Sequence, residues 1–255
     1  MSSSDRNEAA DRLAGYFALQ LDFARRMASG RGVSLGEAVS RYTNLRRRFG
    51  LPDEDPASAG PWTAFLQGLE RRTDSREQEA WTLEIFLRCP EERLPDGQTP
   101  FGCFSCEPPG PDGSLRLHFN NREMDADVGP LHRSRMPARR EELAALFAYV
   151  RDAYQGVSYV FGSSWLYNLE AYRRLFPPAY GAARRAPPWP VRLAGTSSWG
   201  QFLDRRGRLK PDMQRRFVGN LAALDVGAPW RAFPLPCLVT EAPIGLFYNH
   251  YGLAT

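Results

Sequence analysis

Lysine is nearly missing from this 255-residue chain: of 33 basic residues, Lys210 is the one lysine and the rest are arginine. Such a bias follows from base composition as readily as from selection for phosphate contacts. The net charge of +4 is small for the length, and no element concentrates it, so nucleic acid is not the expected partner. No apolar run approaches the roughly 18 residues that cross a bilayer, which excludes a membrane-spanning helix as the organising feature. The polar start from Met1 to Asp11 lacks the apolar stretch of a secretory signal, and this points to the cytoplasm. With 43% hydrophobic residues the chain can bury a core, so global disorder is excluded too.

Several chemical signatures are also absent. The sequence has no phosphate-binding loop ending in Gly-Lys-Ser/Thr, no Gly-x-Gly-x-x-Gly, no Gly-x-Ser-x-Gly and no His-Glu-x-x-His. Standard P-loop, kinase, dinucleotide oxidoreductase, serine hydrolase and zincin readings therefore fall away. Histidine is scarce, with His118, His132 and His250 only, and the four cysteines suit reduced thiols in a cytoplasmic chain. Cys103 and Cys106 form one Cys-x-x-Cys. Its remaining partners, Cys89, Cys237 and the histidines, are not at ligand spacing, and the motif reads as strand rather than helix start, so packing is expected and no metal.

The first 90 residues carry helical periodicity. From Asp5, the apolar residues Leu13, Tyr16, Phe17, Leu21, Ala24 and Met27 recur at steps of three and four until Ser29-Gly30-Arg31-Gly32 breaks the pattern. Ser34 and Glu37 have the spacing of a capping box, which predicts a second helix burying Ala38, Tyr42, Leu45 and Phe49 and stopping at Gly50 and Pro52. Arg46-Arg47-Arg48 falls on its outer, solvated face. Further helices are predicted over 61–71 and 75–87.

Near Pro90 the texture changes, dividing a helical N-terminal region, 1–95, from a second domain, 96–255. Strands over 101–107 and 114–120 flank the turn-forming run Pro108 to Gly113, with Leu115, Leu117 and Phe119 on one face and Arg116, His118 and Asn120 on the other. A helix follows over 137–154, then a strand over 157–161 and a helix over 169–176 capped by Asn168. A strand over 191–194, a helix over 211–224 and a strand around 235–240 complete the chain. The alternation predicts an α/β or α+β fold in which a mixed sheet is flanked by helices.

The sharpest site candidate is the run Gly162-Ser163-Ser164-Trp165, because a glycine and two hydroxyls after a strand place amides and donors at its carboxyl end. Ser197-Ser198-Trp199 repeats it at an offset of 34 residues, and Arg173 is a nearby partner for phosphate or carboxylate. Both segments are read as binding a small anionic or acyl-bearing ligand. His118, on the less apolar strand face, is the candidate general base, and Glu241, after the apolar Cys237-Leu238-Val239, is a second acid–base candidate.

From about Leu115 onward the chain resembles a bacterial group related to acyltransferases of the GNAT type. The resemblance rests on Leu117-His118-Phe119, Gly129-Pro130-Leu131, the helix from Glu141 to Val150, Ser164-Trp165-Leu166-Tyr167 and Leu175-Phe176-Pro177. It implies a mixed sheet that holds an acyl thioester, such as acyl-CoA, between splayed strands. Acyl transfer is the reaction it suggests. The pyrophosphate loop of that superfamily, Arg/Gln-x-x-Gly-x-Gly/Ala, is absent, and this favours the alternative of a non-catalytic binding or interaction protein on an enzyme-derived fold.

Overall fold

The computed structural model describes residues 3–51, 56–89, 99–123 and 127–253. In chain order, helices α1 (Ser3–Arg31), α2 (Leu35–Tyr42), α3 (Leu45–Arg48), α4 (Ala59–Glu70) and α5 (Ser75–Arg88) come first. Strands β1 (Thr99–Phe101), β2 (Phe104–Cys106) and β3 (Ser114–Phe119) precede α6 (Met136–Ala153) and β4 (Tyr159–Ser164). Short helices α7 (Glu170–Arg173), α8 (Pro178–Ala182) and α9 (Thr196–Trp199) lead to α10 (Pro211–Leu221), β5 (Leu238–Pro243) and α11 (Ile244–His250). The protein is thus an α/β protein with a helical N-terminal region and a five-stranded mixed sheet. Among the described residues no helix is long and apolar enough to cross a membrane.

Two compact units divide the chain: Met1–Arg93 with Pro190–Leu235, and Leu94–Trp189 with Pro236–Thr255. The predicted boundary at 95 lies outside the described residues. The expected continuous second domain is interrupted, because residues 190–235 return to the first unit. The cause is aromatic packing: Trp199, Phe202, Phe217 and Phe233 share one buried cluster with Phe23 of α1.

In the first unit, α1 buries Tyr16, Phe17, Leu21, Phe23, Ala24 and Met27 along one stripe. Ser34 caps α2, its Oγ accepting the Glu37 N–H at 3.1 Å. The helix predicted to run on to Phe49 breaks at Thr43 instead. There the buried Gln20 side chain accepts the Asn44 N–H at 2.9 Å, and Tyr16 donates to Asn44 Oδ1 at 3.1 Å. These bonds engage the Asn44 N–H and side-chain oxygen at the break. The arginine run on α3 is packed rather than solvated. Arg46 lies 5.9 Å from the Trp62 ring and donates to Ser58 Oγ, and Arg48 lies 5.6 Å from the Tyr16 ring.

The second unit is a sheet in the order β1-β2-β3-β4-β5, antiparallel except for the parallel pair β3–β4, which α6 connects. One face, carrying Phe104, Cys106, Leu115 and Val160, packs on Leu143, Leu146, Phe147 and Val150 of α6, Phe247 of α11 and a cluster of Tyr167, Tyr172, Phe176 and Tyr180. The β2–β3 hairpin forms as the turn residues predict, and Asp112 fastens it. The Asp112 carboxylate accepts the Ser114 N–H and the Tyr159 hydroxyl at 3.0 and 2.6 Å, and the Ser114 hydroxyl, then the Tyr159 hydroxyl and the Ser114 N–H, pull its pKa down to about 2. The predicted strand at 191–194 is loop and turn, and α11 follows β5 where no helix was expected.

Candidate functional site

The ladder between parallel strands β3 and β4 has three registered pairs, Ser114↔Tyr159, Leu115↔Val160 and Arg116↔Phe161, and then stops. Both strands continue. Leu117 and Phe119 of β3 stay paired with Cys106 and Phe104 of β2, and Gly162, Ser163 and Ser164 of β4 stay paired with Thr240, Val239 and Leu238 of β5. Each strand is therefore held by its outer neighbour while the two part from one another. The ladder ends at the carboxyl ends of two parallel strands, beyond Arg116↔Phe161.

Paired residues share a sheet face, and the face alternates along a strand. Arg116 and His118 of β3, Phe161 and Ser163 of β4 and Glu241 of β5 consequently lie on one face, opposite the α6 core. His118 neighbours Ser105 across the β2–β3 ladder, and its Nε2 is 2.7 Å from Oε1 of Glu107, which extends β2 by donating its N–H to Arg116 O. The contact is at ion-pair distance but lacks hydrogen-bond geometry. Glu107 was not singled out in the sequence; its position two residues beyond Ser105 on the same strand face was the available signal. Glu241 sits within β5, half-exposed, in an ion pair of 2.9 Å with Arg185.

The Gly162-Ser163-Ser164 run, expected just after a strand, forms the last residues of β4 itself. Gly162 is buried inside β4. A Cβ added there would meet Tyr167 Oη at 1.8 Å and Tyr180 Oη at 2.3 Å, and these two hydroxyls are bonded to each other at 2.7 Å. Burial raises the pKa of both tyrosines, which stay neutral. Gly162 is thus needed for close packing rather than for an anion-binding amide. Gly162→Ala is expected to cost about 2–3 kcal/mol by overpacking, and Tyr167→Phe should relieve part of it. Chemical denaturation of the three variants checks this; an unchanged midpoint for Gly162→Ala would refute the packing argument.

Ser163 is exposed, with its Oγ 3.4 Å from Cys237 Sγ. The Ser164 hydroxyl accepts the Leu166 N–H at 3.1 Å, capping a 3₁₀ turn over Trp165–Asn168, so its acceptor role is local. Trp165 packs half-buried on the core of the second unit. Arg173 donates to Tyr167 O at 2.9 Å, tying α7 to that turn. Ser197, Ser198 and Trp199 belong to the first unit and follow no strand. Trp199 is fully buried, its indole N–H donating to Tyr42 O at 2.9 Å. The repeat of Ser-Ser-Trp in sequence is accordingly not a repeat of local structure.

The cysteines of the Cys-x-x-Cys are buried, and burial raises both thiols, Cys106 to about 11. Cys103 Sγ lies in a cluster with Glu123 and Glu142, their ligand-type atoms within 4.8 Å of one another. The cation of this cluster is Arg139, itself 1% exposed, which donates to Cys103 Sγ at 2.7 Å, Glu123 Oε1 at 2.8 Å and Glu142 Oε1 at 2.6 Å. Arg135 also grips Glu123, and these two arginines hold the Glu123 carboxyl below the usual carboxylate range. The network fastens the segment after β3 to the first turns of α6.

No family model matches the chain, and no curated protein or solved structure matches it.

Proposed function

We propose that the second unit transfers an acyl group from a thioester, such as acyl-CoA, to an amine. The observation that carries this reading is the end of the β3–β4 ladder at Arg116↔Phe161 while both strands continue. An extended, amide-bearing thioester arm matches such an opening, because strand edges recognise extended chains through main-chain hydrogen bonds. The thioester carbonyl would then lie near the polar face that carries His118. The His118 imidazole, with the Glu107 carboxylate beside it, takes a proton from the amine as its nitrogen attacks the thioester carbon. The C–N bond forms, the C–S bond breaks, and the departing thiolate takes up a proton. N–H groups at the parted end of β4 supply donors to the transient oxyanion. Glu241 has no role in this scheme, because Arg185 neutralises it.

Two measurements test the reading. Acetyl-CoA should raise the melting temperature in a dose-dependent way. His118→Gln should retain that shift and lower thioester turnover about a hundredfold. No shift and no turnover with short or long acyl-CoA would end the proposal, and turnover unchanged in His118→Gln would remove the assigned base. Saturable binding without turnover in the unmodified protein would assign the non-catalytic alternative.

A further inference from the structure

Arg116 is exposed on the same strand face as His118, two residues before it. Its guanidinium carbon lies 5.7 Å from the centroid of the Phe161 ring. Phe161 is in turn flanked by Trp189, whose ring is 6.4 Å away and whose side is half-exposed. Among the described residues, the acidic groups on this face are engaged elsewhere: Glu107 lies beside His118, Glu241 pairs with Arg185, and Asp112 accepts the Tyr159 hydroxyl. Among the described residues, no carboxylate pairs with Arg116. A guanidinium resting on an aromatic ring has lost side-chain freedom already, yet keeps its in-plane N–H donors for a bidentate carboxylate.

We infer that Arg116 is the specificity determinant for the acceptor, and that the acceptor is an amine carrying a carboxylate several bonds from its nitrogen. The inference rests on the acyl-transfer reading for the role of the amine. The carboxylate pairs with Arg116 beside the exposed Trp189 ring, and the amine reaches the His118 base. A two-residue step along β3 separates the two positions by about 6.6 Å. An α-amino acid, with one carbon between its charges, is too short for this spacing. An ω-amino acid such as 4-aminobutyrate, about 5 Å from nitrogen to carboxyl carbon when extended, suits it once the side chains close the remainder.

The test uses the full chain and three probes of similar length, 4-aminobutyrate, O-phosphoethanolamine and butylamine, titrated calorimetrically with and without acetyl-CoA. The expected result is saturable binding of 4-aminobutyrate at least tenfold tighter than butylamine, with O-phosphoethanolamine weaker than the carboxylate. Arg116→Met keeps the apolar stem over Phe161 and removes the charge. It should bring 4-aminobutyrate down to the butylamine level while leaving butylamine binding and the melting temperature unchanged. If turnover is found, the same variant should raise KM for 4-aminobutyrate and leave kcat alone. Equal binding of 4-aminobutyrate and butylamine, or wild-type affinity in Arg116→Met, overturns the inference, and tighter binding of O-phosphoethanolamine overturns the carboxylate assignment. Carboxylate binding that depends on Arg116, with no acyl-CoA binding or turnover, would retain the subsite and reject acyl transfer.

Discussion

Trp199→Ala is expected to lower the stability of the first unit by about 3–5 kcal/mol, the range for emptying a fully buried aromatic site. The ring is 0% exposed and contacts Tyr16, Phe23, Phe202, Phe217 and Phe233, with centroid separations of 4.9 to 6.4 Å. Truncation also leaves Tyr42 O without its indole donor. The surroundings resist collapse, because buried Gln201 stitches this turn to the chain at Leu235. Its amide donates to Ser198 O and its carbonyl accepts the Leu235 N–H at 2.8 Å. Trp165→Ala, at a half-buried site, should cost only about 1–2 kcal/mol. Denaturant unfolding followed by circular dichroism compares the two without relying on tryptophan emission. Similar losses for both would restore the equivalence of the two Ser-Ser-Trp segments.

The second large effect concerns Arg139. Arg139→Met keeps much of the side-chain volume but leaves the Glu142 carboxylate without its cation, and breaking a buried ion pair from one side costs about 3–5 kcal/mol. The sign of the pH dependence follows from the two carboxyls. Glu123 has a lowered pKa in the folded protein, so its contribution is present above the ordinary carboxylate value and is lost as pH falls through the folded one. In the variant it keeps Arg135. Glu142 behaves oppositely. Burial already raises its pKa despite the Cys103 N–H and Arg139, and losing Arg139 raises it further. The folded variant then binds a proton that the unfolded chain does not. Its deficit should be largest where Glu142 is ionised in the folded variant and shrink as pH falls and Glu142 protonates. Glu142→Gln in the same background should flatten that dependence. A deficit that is constant with pH would show that Glu142 is not the stranded charge.

Much of the local structure was legible because short-range signals carry it. The stripe from Leu13 to Met27, the Ser34 cap, the helix over 137–154 and the hairpin around Pro108 to Gly113 all depend on neighbours within a few residues, and all appear. The sidedness of β3 was legible too, since alternation alone separates Leu115, Leu117 and Phe119 from Arg116 and His118. The errors fall where a distant residue decides. Nothing near Thr43 announces that Gln20 and Tyr16 will accept a broken helix there. Nothing near Trp199 announces the Phe23 cluster that draws residues 190–235 into the first unit.

For the candidate site, residue types were readable and their use was not. Composition marked Gly162, Ser163 and Ser164 as donors just beyond a strand end, but a glycine tolerates close approach as well as tight turning, and only packing distinguishes the two. Tyr167 and Tyr180 make that distinction by closing on Gly162. Periodicity by itself determined which side chains share a face and where most helices begin. The tertiary structure alone decided that β3 and β4 part after Arg116↔Phe161, that Glu107 meets His118 and that Arg139 joins Cys103, Glu123 and Glu142. Side-chain period is a property of the backbone, whereas strand register and buried charge pairing depend on contacts between residues far apart along the chain.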